Sequence, residues 1–512
     1  MRANWSRRDF LKQTTAVGLG LSVGGGLLSA CSGRQSKPNI VFILADDLGY
    51  NEVGVYGQKL IKTPNLDRLA SEGMRFTQHY AGSPVCAPSR CTLLTGKHTG
   101  HAYIRDNDEM PERGDVWHDP NLEGQRPLAA GIPTVASHLK QAGYATACIG
   151  KWGLGGPGSE GHPNKHGFDY FFGYLCQRQA HNHYPDHLWR NDEKVILKGN
   201  RPFFPHQRFP KDKDPNDPRN YEVYRGEQYA PDLMAEDALK FIRENAGRPF
   251  FLYFATTLPH LALQVPADAL EEYRGAFPET PYLGKHGYLP NFTPRATYAA
   301  MITRMDRHVG MILQQLEKLG LADNTLVIFS SDNGTTYTGG VDYKFFNSVD
   351  GLRGLKGSLY EGGIRVPMIA RWPGHIPAGS VSDQPSAFWD FLPTLTQAAG
   401  APTPEDTDGL SLLPTFTGKG KVRAHDHLYW EFRAYGGQQA VRLGQWKGIR
   451  MGLRRKGTDT RIQLYNLAED LSEQHNVAAE HLDVVAEIKE IMKTDRSKSE
   501  LFPFPEIYTR EM

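Results

Sequence analysis

A large, mixed but mostly parallel β-sheet sandwiched by helices, followed by a smaller C-terminal α+β subdomain, is the architecture this 512-residue chain predicts. Three observations carry that expectation. Short apolar runs of strand length alternate with amphipathic stretches of helix length. Several of the apolar runs stop abruptly at polar or ionisable residues, as buried parallel strands do where they reach the edge of a sheet. After about Gly418 the texture shifts to shorter, closely spaced strand patterns and one closing helix.

Taken in order, residues 39–44 read as a buried strand ending at Ala45-Asp46-Asp47, and 64–72 as a helix. A helix over 134–142 leads to a strand over 145–149 that ends at Gly150-Lys151-Trp152. The next pair is a helix over 230–245 and a strand over 250–255, which precedes Thr256-Thr257-Leu258-Pro259-His260. The clearest helix spans 296–319, with Met301, Met305, Val309, Ile312 and Leu316 on one face. Such a stripe belongs to a core. Residues 325–329 form a strand before Ser330-Ser331-Asp332-Asn333-Gly334, and 367–370 another after Glu361-Gly362-Gly363-Ile364-Arg365. Strands over 440–443, 446–451 and 463–466 and a helix over 481–494 make up the smaller subdomain. The organisation expected is an export signal over 1–30, a tether over 31–38, a main domain over 39–417 and the subdomain over 418–512.

Composition bounds the function classes. Hydrophobic residues at 39% and charged residues at 22% describe an ordinary globular chain. A net charge of +1 with a pI near 7.7 supplies no global field for nucleic acid, so affinity for an anion must be local. At the N-terminus, Arg7-Arg8 precedes a moderately apolar run over 16–30, an arrangement similar to a twin-arginine export signal. The run ends Leu28-Ser29-Ala30-Cys31, similar to a lipoprotein cleavage box with Cys31 as the lipidated residue. The alternative, a membrane anchor, has roughly fifteen apolar and small residues where about 20 are needed to cross a bilayer. The chain is therefore expected to be exported, periplasmic or at the cell surface, and to meet a membrane only through Cys31. Five cysteines make no disulfide scaffold.

The strand-end residues carry the chemistry. Open α/β sheets bind ligands beyond the carboxyl ends of their strands, and Asp46, Asp47, Lys151, His260, Asp332 and Asn333 all fall at such ends. A lone strand-end Asp is usually a helix cap; four strands ending this way converge on one site. Two adjacent carboxylates joined by a distant Asp-Asn-Gly form an all-oxygen set suited to a hard cation, with Ca²⁺ favoured over Mg²⁺ for its tolerance of irregular geometry.

Between these lies Ser83-Pro84-Val85-Cys86-Ala87-Pro88-Ser89-Arg90-Cys91-Thr92-Leu93-Leu94-Thr95-Gly96-Lys97. It resembles the signature of the type I sulfatases of the alkaline-phosphatase superfamily, Cys-x-Pro-Ser-Arg followed by Leu-Thr-Gly. A zinc or thiol-pair role for Cys86 and Cys91 would need further Cys or His partners at suitable spacing. The resemblance extends over essentially the whole chain after the signal. It implies an alkaline-phosphatase-like fold, one Ca²⁺ held by Asp46, Asp47, Asp332 and Asn333 together with residue 86, and conversion of Cys86 to formylglycine by a maturation enzyme. It also implies catalytic roles for Arg90, Lys151, His260 and Lys356, with His260 or Lys356 protonating the departing alcohol. In that chemistry one hydroxyl of the hydrated aldehyde attacks sulfur, and elimination of sulfate restores the aldehyde, which a serine could not do. The substrate implied is a sulfated carbohydrate or an aryl sulfate, and the 177–189 loop is similar to those of enzymes acting on sulfated polysaccharides. A galactose-type 4-O-sulfate is the narrowest expectation.

One departure matters. Gly-Lys-Trp-His-Leu-Gly is the common family form, but here Gly153 stands at the histidine position. That histidine normally contacts the formylglycine hydroxyl, so another group is expected to replace it: His181 first, His183 second, with His162 and His166 further candidates. The loop Gln177-Arg178-Gln179-Ala180-His181-Asn182-His183-Tyr184-Pro185 reads either as a sugar-binding segment or as a surface loop, and Arg105, with His101 and Asn107, is a further candidate for substrate contact. Two other functions remain in view: a phosphate or phosphonate monoester hydrolase of the same superfamily, and a non-catalytic glycan-binding lipoprotein.

Overall fold

A computed structural model describes residues 37–108, 123–203 and 205–511; the signal and most of the tether expected over 1–38 lie outside them. Among the described residues sixteen strands are formed. In chain order they are β1 (Asn39–Ala45), β2 (Met74–Phe76), β3 (His79–Tyr80), β4 (Ala145–Lys151), β5 (Tyr170–Tyr174), β6 (His187–Arg190), β7 (Glu193–Ile196) and β8 (Phe250–Ala255). They continue with β9 (Thr325–Ser331), β10 (Met368–Arg371), β11 (Ser380–Ser382), β12 (Ser386–Ala387), β13 (Leu428–Phe432), β14 (Gln438–Leu443), β15 (Trp446–Met451) and β16 (Gln463–Asn466).

Ten of these make one sheet in the order β11-β2-β10-β9-β1-β8-β4-β5-β6-β7. Its centre, β9-β1-β8-β4-β5, is parallel, whereas β10, β6 and β7 run antiparallel to their neighbours. Every residue of β1, β4, β8 and β9 is buried, which is why these strands read as continuous apolar runs. The period of two remains visible in the packing. Val41 and Ile43 join one core with Met301, Met305 and Ile312, while Ile40, Phe42 and Leu44 join the other with Leu93, Leu139 and Phe391. Helices α1 (Pro64–Ser71), α4 (Ala230–Glu244) and α5 (Pro294–Lys318) therefore cover one face. Helices α2 (Cys86–Thr95), α3 (Val135–Gln141) and α6 (Phe391–Ala398) cover the other.

Register aligns the strand ends. Ala45 of β1 pairs with Ser331 of β9, and Gly150 of β4 with Ala255 of β8, so four chain exits open on one edge. The C-terminal strands form an antiparallel sheet, β13-β14-β15-β16. One of its faces, with Trp430, Ala440 and Ile449, packs on Tyr80, Leu359 and Trp389; the other, with Val441 and Leu464, packs on Ile488 and Met492 of α7 (Leu482–Thr494). Residues from Lys37 onward constitute a single compact unit.

Candidate active site

The sheet places its ionisable residues where the strands stop. Asp46 and Asp47 follow β1 directly, Lys151 ends β4, His260 lies just beyond β8, and Asp332 and Asn333 follow β9. All six are buried. Hydrogen bonds lock the exits together: Asp332 N donates to Ala45 O (3.1 Å), Asp46 N to Leu258 O (3.0 Å) and Asp47 N to Asp332 Oδ1 (3.1 Å).

Cys86 is the first residue of α2, and Arg90 lies one turn along, on the same face. Ala87 N donates to Asn107 Oδ1 (3.0 Å), so Asn107 helps to hold the start of this helix. Cys86 Sγ is 3.6 Å from both Asp46 Oδ1 and Lys356 Nζ. Arg90 spans the site, donating to Asp332 Oδ2 through Nε (3.1 Å) and Nη2 (2.8 Å), and to Lys151 O through Nη1 (2.7 Å). Lys151 Nζ donates to Asp46 at 2.8 and 3.1 Å, and Lys356 Nζ to Asp47 at 2.7 Å. Three carboxylates thus meet three cations, and neither set would be tolerated in this burial alone.

Electrostatics separates the carboxylates. Burial alone would raise Asp46, but Lys151, Arg90 and Lys356 outweigh it and hold that carboxyl well below the usual range. Burial and the charge of Asp46 raise Asp332 to about 6, and burial raises Asp47 despite Lys356. Burial and the two lysines keep His260 well below the usual histidine range, so it stays neutral. Its Nδ1 donates to Leu261 O (2.6 Å), which leaves Nε2 facing Asp47 Oδ2 at 3.5 Å.

The donor set fits a hard cation. Ligand atoms of Asp46, Asp47, Cys86 and His260 lie within 4.8 Å of one another. Asn333 donates its amide to Asp47 Oδ1 (2.8 Å) and Gly334 O (3.0 Å), while its Oδ1 is buried without a partner. A buried amide oxygen left unpaired beside three carboxylates is what an oxygen-coordinated cation would satisfy.

The candidate substrate residues divide. The His181 ring stacks on His260 with centroids 4.6 Å apart, and its Nδ1 lies 3.4 Å from His206 Nε2, so it adjoins the site. The expectation for His183 needs correction. Its Nε2 donates to His260 O (2.8 Å) and its Nδ1 accepts from Thr257 Oγ1 (3.2 Å), so it braces the His260 backbone from behind. Arg105 also needs correction, since its guanidinium is buried against Glu431 Oε1 (3.0 Å) and Ser497 O (2.8 Å), tying the segment after α2 to the C-terminal sheet. His101 pairs with Asp408, and the rings of His162 and His166 bond backbone oxygens of Asn191 and Glu160.

Sequence reasoning missed several residues around the site. Tyr288 packs against His181 and His260, at 5.2 and 5.9 Å between centroids. Half-exposed Tyr435 reaches over from the β13–β14 connection to the backbone of Gly357, beside Lys356. Gln177, named above only as the first residue of a candidate sugar-binding loop, lies against Gly153, a placement not foreseen. No local pattern marks them, because each owes its place to a contact between segments distant in sequence.

Comparison with known proteins agrees with this geometry. The sulfatase family model matches residues 38–401, and the model of the N-sulphoglucosamine sulphohydrolase C-terminal region matches 355–498. N-acetylgalactosamine-6-sulfatase of Rattus norvegicus is 35% identical over 448 residues, covering 82% of this chain and 72% of that protein. Human steryl-sulfatase is 32% identical over 80% of this chain and 74% of its own. Among solved structures, Ps i-CgsB in complex with k-i-k-neocarrahexaose superposes with a TM-score of 0.73 at 28% identity, covering 92% of this chain and 95% of that one. The phosphonate monoester hydrolase of Agrobacterium radiobacter, 21% identical with a TM-score of 0.60 over 89% of this chain and 95% of its own, shares the fold alone. The architecture is alkaline-phosphatase-like, and with a family match over most of its length and its site at the sheet's strand ends, the chain belongs to the sulfatase family of enzymes.

Proposed function

We propose that this enzyme removes sulfate from a sulfated carbohydrate, with residue 86 matured to formylglycine and one Ca²⁺ held by Asp46, Asp47, Asp332 and Asn333. The observation that carries the reading is the place of Cys86: at the N-terminus of a buried helix, 3.6 Å from an acidic ligand candidate on one side and from a lysine on the other. When bound, the cation polarises sulfate oxygens, and the matured side chain supplies the attacking hydroxyl. The remaining work falls to the chain's own groups. Arg90, Lys151 and Lys356 furnish fixed positive charge in a water-poor site, where it is worth most against a developing anion. Lys356 Nζ gives the proton to the departing alcohol, because neutral His260 holds its one proton on Nδ1 against Leu261 O and has none on Nε2 to give. A cation held by Asp46 and Asp47 would leave both lysines, now paired with those carboxylates, free for the substrate.

The names of the related structures lean toward polysaccharides. One neighbour is bound to a carrageenan hexaose, and another, 28% identical with a TM-score of 0.68, belongs to glycosaminoglycan metabolism in Bacteroides thetaiotaomicron. A galactose-type 4-O-sulfate remains our narrowest proposal. An exported, lipid-anchored enzyme and a formylglycine-generating partner complete the reading.

The test is mass spectrometry of the residue-86 peptide, run beside turnover of nitrophenyl sulfate and nitrophenyl phosphate. A peptide about 18 Da lighter than the cysteine form, with sulfate the preferred substrate, is expected of a committed formylglycine nucleophile. An unmodified cysteine in active enzyme, or a preference for phosphate, would overturn the proposal.

A further inference from the structure

The place left by the absent histidine is occupied. Beyond Lys151 the β4 chain keeps pairing with the β5 chain, Trp152 N to Tyr174 O (2.9 Å) and Gly153 N to Leu175 O (3.1 Å), which brings Gly153 beside Gln177. A Cβ built on Gly153 would sit 3.6 Å from both Cβ and Oε1 of Gln177, and 3.9 Å from Cδ of Arg90, the arginine that clamps Asp332 and Lys151. Gly153 has φ +79°, a left-handed conformation that penalises any Cβ, so an imidazole here would carry backbone strain. Gln177 is 4% exposed, and its Oε1 is buried with no hydrogen-bond partner.

That orphan oxygen is not explained by loop structure. The backbone of Gln177 is already anchored, its N–H donating to Gln125 Oε1 (3.1 Å), and an apolar side chain would fill the same space without stranding an acceptor. Unpaired buried acceptors are rare and mark a missing partner. His181 belongs to a different contact set, against His260 and His206.

Resting on the function proposed above, we propose that Gln177 stands in for the family histidine: its side-chain carbonyl accepts a hydrogen bond from a hydroxyl of hydrated formylglycine at residue 86. An amide at neutral pH takes no proton. Gln177 therefore orients the hydroxyl and favours the hydrate over the free aldehyde, and the proton released with sulfate passes to another group. The equilibrium is addition of one water to the carbonyl, so loss of the acceptor returns water and raises the aldehyde fraction.

The experiment uses the mature full-length enzyme and an aminooxy probe, which condenses with the free aldehyde to give an oxime and water. Labelling of the residue-86 peptide is followed by mass spectrometry beside steady-state kinetics. A neutral hydrogen bond predicts that Gln177→Leu labels roughly three- to tenfold faster and loses a similar factor in kcat, with KM within about twofold. Gln177→Glu, which keeps an acceptor, should label at close to the wild-type rate. Gln177→Ala must follow Gln177→Leu, and it carries the test if the leucine variant does not fold. Labelling and kcat unchanged in the variants that lack the acceptor would overturn this inference alone. A wild-type enzyme that turns over but never labels, with cysteine at residue 86, would overturn the parent reading together with it.

Discussion

Cys86 is 2% exposed and its sulfur lies 3.6 Å from Asp46 Oδ1 and Lys356 Nζ, so in the function proposed above its side chain contributes chemistry out of proportion to its packing. Cys86→Ala deletes one buried heavy atom, a change that costs roughly 1 kcal/mol in a core and less beside polar neighbours that can relax. The expected outcome is a variant whose melting temperature lies within a few degrees of wild type and whose sulfatase activity is absent. More than trace activity in pure Cys86→Ala protein would remove the nucleophile assigned above. At this scale the reading from sequence was uneven. Asp46, Lys151 and Asp332 were legible because a strand end fixes which way the chain leaves the sheet. His183 and Arg105 were misplaced because nothing local says that an imidazole two residues after His181 turns behind His260, or that an arginine beyond α2 finds Glu431 more than three hundred positions away.

Among the elements, the continuous apolar strands and the long Met-striped helix were legible because burial on both faces, or on one helical face, leaves a periodic trace. The strands that flank the long central ones, β2, β5, β6 and the two edge strands β7 and β11, were not anticipated. They are short and irregularly exposed, and they take their pairing from neighbours. One of them holds a measurable ion pair. His187, which begins β6, places Nδ1 2.8 Å from Asp186 Oδ1 and Nε2 2.6 Å from Glu123 Oε1, and Trp189 Nε1 donates to the same Glu123. Burial alone would lower this histidine, but its bonds to Asp186 and Glu123 prevail and raise it to about 9. The folded value exceeds the unfolded one near 6.5, so the stabilisation is complete below that pH and is lost as pH rises through about 9. His187→Gln should therefore destabilise the protein clearly at pH 6 and much less at pH 9.5. Denaturant midpoints for both proteins across that range check it, and a penalty that stays constant or grows with pH would refute the charged assignment.

Across the whole molecule, the proposed cation site joins the exits of β1 and β9, adjacent strands near the centre of the ten-stranded sheet. Its acidic groups are buried and close together, and Asp47 sits at φ +65°, an uncommon conformation for a residue other than glycine. Asp46 and Asp47 pair with Lys151 and Lys356; the proposed cation would give Asn333 Oδ1 a partner and free the lysines for substrate. An unfolded chain cannot assemble ligands drawn from positions 46, 47, 332 and 333, so the proposed cation would bind the native state alone. Stability must then rise as RT ln(1 + [Ca²⁺]/Kd), about 2.7 kcal/mol when free calcium is one hundred times Kd. Calorimetry in chelator-buffered solutions should show the melting temperature climbing with the logarithm of free Ca²⁺. Mg²⁺ should be less effective at equal concentration, because it demands a tighter octahedron. Asp47→Asn should flatten the dependence, since it removes one ligand charge while keeping the side chain's size. Melting temperatures that do not respond to Ca²⁺ in the wild-type enzyme, between strong chelation and millimolar free ion, would show that these strand ends hold no calcium.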